Sequence, residues 1–274
     1  MITFNRPRPV GGTSRFDLHR QSAKSIVAAS FAYARDDARY EAYCSDLGEA
    51  AAYRLRWPFW RIVAGSWVVA RFPGCQDRPV VEAFETRIQP ECDETDIVDE
   101  LFEALKAEAP VPDHTAQLVT WGAPHDDVLS LRRVAHMQGR ILPPQLRSAE
   151  SAAAHRIRLS ELTCDGREHL HLAEYVRGLE LRGIPVPGHY LPHLVREEAW
   201  AKIEERCAAN AMLTAICAAR HFASEGIIGQ TAAACTDGIV EAFCKRPPTD
   251  YVRTLSNWHR RYRYDRLFGE PGYE

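Results

Sequence analysis

Arg61-Ile62-Val63-Ala64-Gly65-Ser66-Trp67-Val68-Val69-Ala70-Arg71 is the strongest strand signal in the chain, an apolar, β-branched run bounded by arginines. Pro73-Gly74-Cys75-Gln76-Asp77 follows as a turn, and residues 79–86 return as a second strand, so a hairpin is expected. Downstream, Ile97, Val98, Leu101, Phe102 and Leu105 recur at helical spacing within 94–106, with Asp93 and Thr95 placed to cap. Residues 117–121 read as a short buried strand broken by Gly122 and Pro124. A helix is expected from Asp126 or Asp127 to Met137, and 157–159 is a last short strand candidate. From Leu170 onward the pattern is helices between Gly/Pro loops. The longest, 197–223, places Ile203, Cys207, Asn210, Thr214 and Cys217 on one face. Upstream of the hairpin, Arg15-Phe16-Asp17-Leu18 is a short strand candidate, and the Ala-rich run 21–56 reads mostly as helix. Strands and helices alternating around a hairpin define an α/β class with a mixed sheet flanked by helices.

Composition bounds the function. The chain has 274 residues, 46% hydrophobic and 26% charged, enough for one large domain or two small ones with a sizeable core. The net charge is −3, which marks neither a nucleic-acid coat nor a membrane-surface protein. The charges are segregated, however. Basic groups gather in 1–24 and 245–266, acids gather in 90–113, and only Lys24, Lys106, Lys202 and Lys245 among the 34 basic residues are lysines. Such blocks can still bind a polyanion locally. No run approaches 18 continuous apolar residues and no apolar leader is visible, so a cytoplasmic chain without membrane association is expected. Eight cysteines without a C-x-x-C pair fit reduced, mostly buried thiols. The histidine pairs His169/His171 and His189/His193 lack a completing ligand set and read as surface or packing residues.

This order of elements resembles the predicted 3′–5′ exonucleases related to the proofreading domain of family B DNA polymerases, over about residues 14–226. Those proteins are four-carboxylate (DEDD) exonucleases of ribonuclease H-like fold, in the subgroup with a catalytic tyrosine. The family's first strand, Phe-Asp-Ile-Glu-Thr, is matched by Phe16-Asp17-Leu18-His19-Arg20, with His19 at the glutamate position. Its next strand is matched by Trp60-Arg61-Ile62-Val63-Ala64, and its Glu-rich helix by 94–105. The second motif appears as Trp121-Gly122-Ala123 and then Asp126-Asp127-Val128-Leu129, with Asp127 at the metal position, or Asp126 after a one-residue slip. A later His-x-Asp-Leu strand looks like Ile157-Arg158-Leu159, with arginine for the acid. In the final motif Arg206 stands for the tyrosine and Asn210 for the aspartate, while Cys207 and Thr214 remain. Four apart, Arg206 and Asn210 share a helix face.

The resemblance implies a ribonuclease H-like domain at 15–226; Arg6-Pro7-Arg8-Pro9 and Gly11-Gly12 read as a flexible arm at 1–14, and 227–274 reads as a helical, Arg/aromatic-rich extension. The resemblance also implies vestigial or altered catalytic positions: Asp17, His19, Asp127, Asn210 and Arg206. Two divalent ions need carboxylates to balance their charge, and here only Asp17 and Asp127 remain as metal ligands. No cofactor is therefore expected, with Mg²⁺ or Mn²⁺ only if the protein is an active exonuclease on single-stranded DNA or RNA. A single transition metal on Asp17, His19 and Asp127 is a variant of that reading. The main expectation is a degenerate family member, a pseudoenzyme acting as a nucleic-acid-binding or complex-forming subunit; a pure protein-interaction scaffold is the alternative. Arg158 and Arg206 would then meet phosphate in place of metals, though both also read as ordinary surface or salt-bridged arginines. Asp17 and Asp127 read equally as caps or turn residues.

Beyond the resemblance, Trp258 and neighbouring tyrosines interleave with Arg260, Arg261 and Arg263 in 249–266. That mixture suits a single-stranded nucleic acid, including a 3′ end, through phosphate pairing and base stacking. It suits an acidic protein surface as well, including the chain's own 90–113 block.

Overall fold

The computed structural model describes residues 24–47, 57–74, 76–106, 115–122, 127–148, 154–164, 170–183 and 190–268. The hairpin forms as expected: β2 (Trp60–Phe72) is antiparallel to β3 (Val80–Ile88). On the other side of β2 lies β1 (Lys24–Arg35), also antiparallel to it. Strand β4 (Gln117–Thr120) pairs parallel with β1, and β5 (Arg156–Arg158) parallel with β4. The order across the sheet is β3-β2-β1-β4-β5. The helices are α1 (Asp37–Leu47), α2 (Glu94–Lys106), α3 (Asp127–Met137), α4 (Leu159–Cys164), α5 (Leu172–Gly178), α6 (Leu191–Arg196), α7 (Trp200–Ser224), α8 (Ala232–Phe243) and α9 (Asp250–Phe268). A mixed sheet flanked by helices, with further helices at the C-terminal end, is the α/β class expected from the sequence.

One expectation is overturned. The Ala-rich run 21–56 does not fold as one helix: residues 24–35 form the central strand, and of the described residues of the run only 37–47 are helical. The reason lies in burial. β1 is covered on both faces, so it needs no alternation of polar residues, and its alanines imitate a helix former's composition. They serve close packing instead. Ala28 faces Ala208, Ala209 and Ala211 of α7 in one buried cluster, and the small side chains on both elements let the helix approach the sheet. The strand expected at 15–18, with Asp17 and His19, lies outside the described residues, as does the arm at 1–14.

Helix α7 runs antiparallel along β1. Cys207 Sγ donates to the Ser30 carbonyl at 3.0 Å, and at the far end Lys24 Nζ sits 4.0 Å from the Phe222 ring centre. The opposite face of the sheet packs on α2 and α3, where Val27, Ala29, Tyr33, Trp67 and Leu118 meet Ile97, Leu101 and Leu131. Gly65 permits this contact, since a Cβ there would fall 2.7 Å from Ile97 Cγ2. The start of α2 is capped as its sequence suggests: Asp93 Oδ1 accepts from the amides of Thr95 and Asp96, at 2.7 and 2.9 Å. Helices α8 and α9 add Ile239, Val240, Phe243, Tyr251 and Leu255 to the cluster that α7 forms with the sheet. The extension expected from residue 227 thus shares its core with the preceding domain.

Candidate functional site

The parallel strands β1 and β4 run in one direction, and the chain leaving β4 turns at Gly122 before α3 begins. Gly122 has φ +87, a left-handed conformation, and a Cβ there would lie 3.3 Å from the Arg158 side chain. Asp127 opens α3, where a helix N-terminus favours negative charge. Its Oδ1 accepts a 2.6 Å hydrogen bond from Tyr33 Oη, which rises from the far half of β1. Burial pushes the Tyr33 hydroxyl well above the ordinary tyrosine value, and the Asp127 charge and hydrogen bond push it further. The phenol is therefore held protonated, as a donor to the carboxylate.

On the other face of β1, α7 presents Arg206, Cys207 and Asn210. Cys207, bonded to the Ser30 carbonyl, has its thiol pushed up to about 12, mainly by burial, with the Asp127 charge adding to it. Burial lowers the Arg206 pKa, while Cys207 acts the other way. The rotation of α7 is fixed by its flanks. Glu204 accepts from Arg246 at 3.1 Å, and Arg246 also donates to Thr86 of β3 at 3.1 Å. At 100° per residue, Arg206 lies about 200° around the helix from Glu204. Asn210, one turn on, carries a buried Oδ1 with no hydrogen-bond partner, and the Thr214 Oγ1 beyond it is also unbonded. The expected sharing of one helix face by Arg206 and Asn210 is what the structure has.

Arg158 closes the β5 side, where Nη1 donates to Glu161 at 2.9 Å. Arg158 is thus salt-bridged within the chain, one of the two readings its sequence position allowed. Asp126, the alternative to Asp127, falls outside the described residues.

A pair of divalent ions does not fit the described residues. β1, at the centre of the sheet, carries no Asp or Glu from Lys24 to Arg35. Asp127 Oδ1 accepts from Tyr33 Oη. Among the described residues, no three His, Cys, Asp or Glu side chains are grouped so as to hold a metal.

The C-terminal helix sorts the residues expected to touch nucleic acid. Trp258 packs against the core and stacks on Tyr262, with ring centres 5.1 Å apart and planes at 20°. Arg263 donates to Glu241 at 2.8 Å and Arg266 to Asp237 at 2.6 Å, both on α8. Arg263 and Arg266 of the basic segment thus find their acids on α8. The acidic block meets other cations: Glu94 pairs with Arg133, Asp99 with Arg140, Glu100 with Arg87 and Glu103 with Lys106. Arg260 and Arg261 remain exposed and outside these pairs.

Sequence reasoning missed Tyr33 and Ser30, because both lie in the run read as helix. Their signal was the β-branched and aromatic content of Ile26, Val27, Phe31 and Tyr33 between the alanines. Fold and site together define a mixed α/β protein with a Tyr33–Asp127 pair between β1 and α3 and a largely buried Arg206 on α7. Compared with family models, with curated proteins and with solved structures, the chain finds no match to any. No described helix is long and apolar enough to cross a membrane.

Proposed function

We propose that this chain is a catalytically degenerate, exonuclease-like protein that holds single-stranded nucleic acid, in the cytoplasm, without cutting it, as the binding or complex-forming subunit of a larger activity. The observation that supports the reading is that, among the described residues, β1 offers no carboxylate, while α7 carries the partly buried Arg206 and an unsatisfied Asn210 Oδ1. A guanidinium in a desolvated setting interacts strongly with phosphate. The Asn210 oxygen is an acceptor that a sugar hydroxyl or a base amino group would satisfy, and an orphaned buried acceptor disfavours leaving that place empty.

The test is binding of a labelled single strand with a free 3′ end, titrated across a salt series, with nuclease activity followed in Mg²⁺ and in Mn²⁺. Binding that weakens linearly in log–log form with salt, with no product released, is the expected result. Arg206→Ala should weaken it, and Asn210→Ala should weaken it less. Absence of binding at low salt, or binding indifferent to salt, overturns the reading. So does metal-dependent cleavage that Asp127→Ala abolishes.

A further inference from the structure

We infer that the outward face of α9 is a second binding surface for single-stranded nucleic acid, built from Arg260, Arg261, Tyr264 and Phe268. The inference does not rest on the sheet-end cleft. Along α9 the buried residues Tyr251, Val252, Leu255 and His259 occupy one arc, together with the stacked Trp258 and Tyr262. At 100° per residue, Arg253, Arg260, Arg261, Tyr264 and Phe268 fall on the opposite arc, a stripe about 22 Å long at 1.5 Å per residue.

The structure separates the arginines of this helix by occupation. Arg253 pairs with Asp250, Arg263 with Glu241 and Arg266 with Asp237. Arg260 and Arg261 have no acid within salt-bridge distance among the described residues, and both are exposed. Immediately C-terminal to them, Tyr264 is 59% and Phe268 71% exposed, and their rings touch, with centres 4.8 Å apart. Leu267 is exposed beside them. A helix that spends two large aromatic rings on solvent, one turn from two unneutralised guanidiniums, presents π-faces and phosphate donors at adjacent positions. This pairing suits a chain that alternates flat bases with phosphates. An acidic polypeptide would use the cations and leave the rings without a role. Duplex would bury its bases from them.

The experiment uses the full chain and a labelled oligothymidylate, which forms no structure of its own, with anisotropy read across a salt series. The variants are Arg260→Gln with Arg261→Gln, Tyr264→Ala with Phe268→Ala, and Arg206→Ala for the cleft. All four α9 positions are exposed, so the variants should keep the parent's circular dichroism and melting point. The arginine pair should lose about tenfold in affinity and about 1.4 from the log–log salt slope, two contacts at about 0.7 each. The aromatic pair should lose about tenfold with the slope unchanged, since stacking releases no counterions. Parent-like binding by both α9 variants, with binding lost in Arg206→Ala, overturns this inference and leaves the cleft reading standing. Loss in the α9 variants with Arg206→Ala unaffected supports it and removes the cleft reading. Displacement by polyglutamate as effective as by unlabelled oligonucleotide, with the aromatic variant unaffected, assigns the face to acidic protein and overturns the inference.

Discussion

Replacing Asp237 by alanine tests how the C-terminal helix is held. Asp237 is 2% exposed and accepts two charged or polar donors: His259 Nε2 at 2.8 Å on Oδ1 and Arg266 Nη2 at 2.6 Å on Oδ2. Removing one member of a buried pair costs about 3–5 kcal/mol, because the partners stay behind without compensation. Two features reduce this. The Arg266 side chain is 35% exposed and can turn to water, and alanine is the better helix former at mid-α8, by about 0.5 kcal/mol. A loss of about 3 kcal/mol follows, or about 6–12 °C in melting temperature for a chain of this size. The damage should be local as well as global. The N-terminal half of α9 is fixed by Tyr251, Val252 and Leu255, but the half beyond Trp258 depends on Asp237 and on Glu241. Trypsin should therefore cut the variant first at Arg260, Arg261 or Arg263. The pH dependence has a definite sign. Burial alone pushes the Asp237 carboxyl up, but hydrogen bonds from Arg266 and His259 and their charges outweigh it, and the net value is lowered. A lowered folded value means the stabilisation is present above the unfolded pKa of about 3.9 and is lost as pH falls through the folded value. The gap between parent and variant in urea unfolding should then be full at pH 6 and shrink below about pH 4. A variant within about 0.5 kcal/mol of the parent at pH 6, with an unchanged tryptic pattern, would refute the reasoning.

Gly65→Ala places a methyl 2.7 Å from Ile97 Cγ2 and should cost about 1–3 kcal/mol in urea unfolding, with less than additive loss when combined with Ile97→Ala. Tyr33→Phe removes the 2.6 Å bond to Asp127 and should cost about 1.5–3 kcal/mol, as hydrogen bonds to charged groups do. Asp127→Asn removes a negative charge from the start of α3 and should tighten oligonucleotide binding several-fold; weaker binding would count against a phosphate held near it. Cys207, Cys217 and Cys235, each with its thiol pushed up to about 12 by burial, should escape iodoacetamide at pH 8 in the native chain and react in urea, as read by mass spectrometry.

The hairpin, α2, α3 and the long α7 were legible because each carries a period that only one structure satisfies. Ile97, Val98, Leu101, Phe102 and Leu105 all fall on the buried face of α2. β1 was not legible for the same reason reversed. A strand buried on both faces has no period, and alanines selected for close approach to α7 imitate a helix former. That one misreading moved the site. Asp127, Arg206 and Asn210 were singled out from their own elements, but the tyrosine that bonds Asp127 came from the strand read as helix. The neighbour of a candidate residue is a matter of sheet order, which local pattern does not carry.

Charge shows the same division between what is local and what is not. Read along the chain, an acidic block at 90–113 and a basic block at 245–266 invite pairing with each other. In space neither needs the other. The acids of α2 meet Arg87 of β3, Arg133 of α3 and Arg140 just after α3, and Arg263 and Arg266 meet Glu241 and Asp237 on the helix beside theirs. Pairing between neighbours keeps the charge-bearing atoms at the seams where elements meet, and it consumes cations in proportion to the acids within reach. On α9 the inward arc has acids to meet and the outward arc has few. Arg260 and Arg261 are left over for that geometric reason, and a surplus of guanidinium fixed on a rigid helix, next to two bare rings, concentrates the field that the near-neutral total conceals. If the chain binds a polyanion, the salt dependence should therefore trace to these two positions and to Arg206. The five other basic residues of 245–266 should contribute little to the slope.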